Sequence, residues 1–200
     1  MAEVSTPLRP SPARDRLLAT ASRVFYGEGI RGVGVDRVVT EAGVTRATFY
    51  RHFPGKDDLV EAYLRAVDAA VRARVGEVPD GPGAAADLVR AIARGIGDEL
   101  CGTGFRGCPF INAAAEYPDP ASPVLRAVVE HRTWLAGTVA GAFRTAGHPD
   151  PEGAARRFVV LRDGAMVAGY LGDPEAARAT LLAAVEDLLG GRAPGPRQRE

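Results

Sequence analysis

The sequence predicts an all-α protein made of a small three-helix part followed by a larger helical part. Three observations predict it. Apolar residues recur at three- and four-residue spacing along most of the 200-residue chain. Stop and start signals, Gly or Pro beside Ser, Thr or Asp, fall at helix-length intervals. No stretch alternates as a half-buried strand does. Hydrophobic residues make up 46% of the chain, enough to bury a core.

Ser11 can cap a first helix with Pro12 at its first position, and Leu17, Leu18, Ala21, Val24 and Phe25 follow until Gly27 and Gly29 stop it. A short second helix fits Val35 to Ala42 with Val35, Val38 and Val39 inward, and Gly43 breaks it. Thr45 caps a third, Arg46 to His52, ended because Pro54 disfavours helical geometry at Phe53. A fourth starts near Lys56, with Asp57 and Asp58 in its favourable first turn, and runs to about Val75. Pro79 to Gly83 reads as a turn, and further helices are expected over Ala84 to Leu100, Phe110 to Glu116, Ser122 to Thr145, Pro151 to Leu171 and Pro174 to Leu189. Residues 1–10 and 191–200 are expected to be a flexible arm and tail, with domains at 11–58 and 59–190.

The net charge is zero, which excludes a chain that coats polyanions along its whole length. The distribution is uneven. Residues 1–56 hold nine Lys or Arg against five Asp or Glu, and the remainder hold sixteen against twenty. Contact with a polyanion at the N-terminal end is the simplest consequence. The N-terminus lacks the apolar core of a secretory signal and no segment is long enough to span a bilayer, so a cytoplasmic protein without membrane contact is expected. Cys101 and Cys108 are two cysteines in a reducing compartment, expected as small buried hydrophobes or bystanders rather than a disulfide framework or redox pair.

Two helices joined by a Gly turn, the second short and polar outside, form a helix-turn-helix, here at about 34–53. Phe49 and Phe53 share an inward face, which leaves Arg46, Thr48, Tyr50 and His52 pointing elsewhere. Arg pairs bidentately with guanine, and Thr, Tyr and His can reach phosphates or a thymine methyl. The run VDRVVTEAGVTRATFYRHFPGKDDL resembles the DNA-binding signature of the TetR family of one-component regulators. The resemblance covers Ser11 to about Tyr63. It implies that Thr45, Tyr50, His52 and Lys56 contact phosphates while Arg46, Ala47 and Thr48 approach base edges. Gly34 departs from the pattern, which often places Thr or Ser at that position, though Gly also serves as a cap.

The same resemblance implies a homodimer on double-stranded operator DNA of palindromic sequence, repression, and release by a small-molecule effector. Two recognition helices about 34–36 Å apart read successive major grooves. The last two helices carry small and apolar residues, among them Ala154, Phe158, Ala165, Val167, Leu181 and Val185, which fit either a dimer interface or the chain's own core. Large and polar side chains available to an effector pocket are Tyr63, Phe105, Phe110, Asn112, His131, Trp134, Met166 and Tyr170. The alternative is a helical small-molecule or protein-interaction module that ignores DNA, whose duplex binding would not fall with salt. Gly102, Gly104 and Gly107 have dinucleotide-loop spacing but follow a helix and meet Pro109 at once. No nucleophile elbow and no metal-ligand His spacing is present, so no catalysis, metal or cofactor is expected.

Overall fold

The computed structural model describes residues 11–191, in which every regular element is a helix. They are α1 (Pro12–Glu28), α2 (Val35–Glu41), α3 (Arg46–His52), α4 (Lys56–Val75), α5 (Pro82–Leu100), α6 (Pro109–Glu116), α7 (Pro123–Thr145), α8 (Pro151–Leu171) and α9 (Pro174–Leu189). The expected arm, residues 1–10, and residues 192–200 of the expected tail lie outside the described residues.

Six helices begin with proline, because a proline at the first position loses no helical hydrogen bond and arrives with φ already set. That rule moves three starts relative to the sequence expectation, α7 beginning at Pro123 with Ser122 as its cap. α5 begins at Pro82 rather than Ala84, directly after Gly81 at φ 90°, and α6 begins at Pro109 rather than Phe110. At the other end of α1 the helix passes through Gly27 and stops only at Gly29, whose N–H bonds the Phe25 carbonyl. A glycine inside a helix weakens it by about 1 kcal/mol, and the packed face of α1 outweighs that.

The described residues divide into two compact units, parted between Tyr63 and Leu64 inside α4. In the first, Leu17, Val24, Phe25, Val38, Phe49 and Leu59 are buried. Tyr63 is buried there too, its ring 6.0 Å from that of Phe25. On the outside, Glu41 of α2 accepts from both Arg23 of α1 and Arg37. These exposed pairs add little to stability.

In the second unit α5 packs on α9, α9 on α8, α8 on α7 and α7 on α6. Val89, Leu100, Val128, Phe143, Phe158 and Leu181 form its core. Of the candidate dimer residues, Ala154, Phe158, Ala165, Leu181 and Val185 are buried inside the chain. Helix α8 is apolar on two sides, so its periodicity alone does not say which side turns inward. The side left exposed carries Val160, Val167 and Leu171, at 71%, 47% and 75% exposure.

Candidate nucleic-acid interface and ligand cavity

Helix α2 ends in a tight turn that sets the direction of α3. Gly43 takes φ 63°, a left-handed conformation that costs a side chain roughly 1–2 kcal/mol. Its N–H bonds the Thr40 carbonyl at 3.2 Å, and the Val44 N–H returns to the Val39 carbonyl at 3.2 Å. This pair of bonds satisfies the last carbonyls of α2. Thr45 then caps α3, its Oγ1 accepting from the Thr48 N–H at 3.1 Å and lying 2.9 Å from the Thr48 hydroxyl.

Helical spacing sorts the remaining side chains of α3. Phe49 is fully buried between Tyr50 and Phe53. Arg46, Ala47, Tyr50 and Arg51 are exposed on the opposite face, Tyr50 to 56%. Arg51 belongs to this face although the motif did not single it out. Two cationic side chains, a phenol and a methyl on one side of a capped helix suit a groove lined by phosphates and base edges.

Besides Thr45 and Thr48, three more of the expected contact residues have partners within the protein. Arg46 presents Nε and Nη2 to the two carboxylate oxygens of Asp36 on α2. The guanidinium holds the Asp36 carboxyl below its usual range, chiefly by hydrogen bonding. His52 Nε2 lies 3.2 Å from the hydroxyl of Ser11, the residue that caps α1, which ties the end of α3 to the start of α1. Lys56 Nζ lies 3.5 Å from the Arg31 carbonyl.

This is the layout of a helix-turn-helix DNA-binding regulator. Residues 17–63 match the family described as bacterial regulatory proteins, tetR family. The fold matches the crystal structure of a TetR-family transcriptional regulator from Streptomyces coelicolor with a TM-score of 0.83 and 53% identity, over 90% of this chain and 95% of that one. The chain belongs to the TetR family of transcriptional regulators. It is 24% identical over 125 residues to the HTH-type transcriptional regulator LmrA of Bacillus subtilis, a match over 61% of this chain. Over 130 residues, 62% of this chain, it is 29% identical to the HTH-type transcriptional regulator EthR of Mycolicibacterium smegmatis. These matches span 66% and 56% of the two relatives' lengths.

The second unit holds a cavity of about 210 Å³. Val67 and Val71 of α4, Ile92 and Ile96 of α5, and Leu135 of α7 supply its apolar walls. Of the residues expected around an effector, Phe110, His131 and Met166 line it. Tyr63 sits in the first unit's core, Trp134 lies under the Arg72 guanidinium at 4.4 Å, and Tyr170 is surface-exposed beneath Arg106. Asn112 instead donates to the Arg106 carbonyl at 2.9 Å, pinning the connector before α6, and Phe105 is half-buried in that connector. Arg162, which sequence reasoning passed over, is a buried charge in the lining. An arginine and an aspartate, Arg162 and Asp163, set between the apolar runs of α8 are the signal that could have found it.

Beside the cavity α4 is tied to α7 by polar contacts. Arg65 meets Glu130 at 2.9 Å, and His131 Nδ1 meets Asp68 Oδ1 at 2.7 Å while its ring stacks on Phe110 at 3.7 Å. Burial lowers the His131 pKa against the pull of Asp68. Burial alone would raise that of Asp68, but hydrogen bonds from His131 and Arg72 outweigh it and hold the carboxyl below its usual range. The unfolded chain therefore takes up a proton at this histidine below about pH 6.5 that the folded chain refuses. Stability at this site is intact above that pH and declines below it. Melting temperatures measured between about pH 7.5 and 5.5 are expected to fall more for the wild type than for His131→Gln. Equal acid-side losses would remove the site from the account.

Among the described residues no group of three or more His, Cys, Asp or Glu gathers to hold a metal. No helix there is long and apolar enough to cross a membrane. Cys101 is exposed and Cys108 buried, both as free thiols.

Proposed function

We propose that the protein is a ligand-responsive repressor that binds a palindromic operator as a homodimer and is released when a small molecule enters the cavity of the second unit. The observation that carries this reading is the outward face of α3, where Arg46, Ala47, Tyr50 and Arg51 stand clear of the packed Phe49. Residues 11–58 form the DNA-binding domain and 59–190 the regulatory one. Thr45, His52 and Lys56 join Tyr50 on phosphates, and Arg46, Ala47 and Thr48 approach the bases. The dimer forms through the exposed stripe of α8 with the small residues Ala176, Ala179 and Ala183 of α9, all exposed. Exposed apolar side chains on a long helix are a surface that association buries. A protein that occupies a promoter acts most simply by exclusion, and release follows when the ligand favours a form with the wrong groove spacing. The protein acts in the cytoplasm, without catalysis or a cofactor.

The test is a titration against duplexes from the DNA upstream of its own coding sequence, at two salt concentrations. Binding is expected to be selective and to weaken steeply with salt. Arg46→Ala should lower operator affinity about 10- to 100-fold and flatten the preference at one base pair. Tyr50→Ala should weaken all duplexes alike. Asp36→Asn, which frees Arg46 and removes a negative charge, should bind random duplex several-fold more tightly and lose part of its preference for the operator. Salt-insensitive or absent duplex binding would overturn the reading.

A further inference from the structure

The cavity of the second unit is mostly apolar, yet a buried arginine, Arg162, is among the residues that line it. Arg162 is 8% exposed, and it donates from Nη1 to Asp163 Oδ1 at 2.9 Å and from Nη2 to Cys108 Sγ at 3.0 Å. A guanidinium has five N–H donors, and a thiol sulfur is a weak acceptor. Asp163 is also shared. Arg132 holds both its oxygens, at 3.2 and 2.6 Å. One carboxylate therefore serves two guanidiniums, the buried one of Arg162 and that of Arg132, whose side chain is 38% exposed, and it balances only one of the two charges.

His131, Arg74 and Glu99, which also line the cavity, add no net negative charge to it. Burial works against the charge on Arg162, but Cys108 and Asp163 outweigh it and keep the guanidinium protonated. His131 is held toward its neutral form by burial, so it adds no second cation near neutral pH. Arg74 and Glu99, both exposed, contribute one charge of each sign to the lining. A buried charge without a full counter-charge is costly, and a bound anion relieves it.

We propose that the effector is a small organic acid whose carboxylate pairs with Arg162 and whose apolar body lies among Ile92, Ile96, Leu135 and Met166. This rests on the ligand-responsive reading above and names the chemistry of that ligand. An apolar cavity of about 150 Å³ accommodates benzene. The present 210 Å³ suits a slightly larger body, one ring or a short chain with its carboxylate. A charge-assisted pair with a guanidinium is roughly twice as strong as its neutral counterpart. The acid is therefore preferred over an uncharged molecule of the same shape.

The test uses the wild-type protein near neutral pH and calorimetric titration with benzoate, phenylacetate, 3-phenylpropanoate, hexanoate and octanoate, each beside its primary amide. At least one acid is expected to bind at least about tenfold more tightly than its amide. Arg162→Gln should abolish that preference. Arg162→Lys, which keeps the charge but not the fork, should retain the preference at lower affinity and guards against a folding defect in the first variant. Amides binding as tightly as acids, or no acid binding at millimolar concentration, would overturn the proposal and mean that the cluster balances its charge internally. Operator release is measured separately. Acids that bind without releasing DNA would leave the ligand class standing and remove the ligand-responsive reading. Intact operator binding with no acid bound would do the reverse.

Discussion

A Val160→Arg, Val167→Arg double variant is expected to run as a monomer and to lose operator affinity by about two to four orders of magnitude. Both side chains lie on the exposed stripe of α8, at 71% and 47% exposure. Their replacement leaves the buried Phe158 and Ala165 of the same helix untouched. Two guanidiniums from each protomer would then face their counterparts across an apolar seam, a desolvated like-charge contact that association cannot relieve. The loss on DNA follows from valency, because a monomer engages one half-site and forfeits the high effective concentration that joins the second. Sedimentation gives the oligomeric state and a gel-shift titration the affinity. Val129→Arg is the control, since Val129 is exposed on α7 and outside the stripe. A double variant that remains dimeric would place the interface elsewhere.

Phe49→Ala is expected to destabilise the first unit by about 3–5 kcal/mol, the usual result of emptying a buried aromatic site. Phe49 is fully buried, with Tyr50 edge-on at 5.1 Å and Phe53 at 5.9 Å. A domain's whole stability is about 5–15 kcal/mol, so the variant should unfold locally near physiological temperature and lose operator binding. The second unit has its own core and should keep its thermal transition. Circular dichroism melting checks this through a new low-temperature step. Phe49→Leu, with a smaller cavity, should lose less and still bind. Full operator binding by Phe49→Ala at an unchanged melting temperature would mean that α3 is not held by this residue.

The three-helix unit was legible because its determinants are local. Gly43, the Thr45 cap, the Phe49 and Phe53 pair and the stop at Pro54 lie within twelve residues, and each acts on its neighbours through backbone geometry. The starts of α8 and α9 were legible for the same reason, each marked by Asp and then Pro, while those of α5, α6 and α7 were placed one or two residues off. Its interior was not. Asp68 finds His131 across 63 positions and Arg162 finds Cys108 across 54, and no periodicity encodes such meetings. The pocket candidates were chosen by size and polarity without knowledge of place, which brought in Tyr63 and Trp134 and missed Arg162. Likewise α8, apolar on two sides, gave no sign of which side the chain would bury. The Asp36 and Arg46 pair escaped because its partners stand ten positions apart on two different helices.

That pair bears on how the protein searches a chromosome. A carboxylate offers the arginine fork two acceptors, as the guanine edge does. On the proposed reading, Arg46 is already satisfied at each of the roughly 10⁶ or more wrong positions a genome presents. On that reading a guanine in register would displace the aspartate, whereas an incorrect sequence would leave the pair in place. Discrimination then resides in the time spent at each position as well as in the final equilibrium, and the aspartate works as a clutch between sliding and stopping.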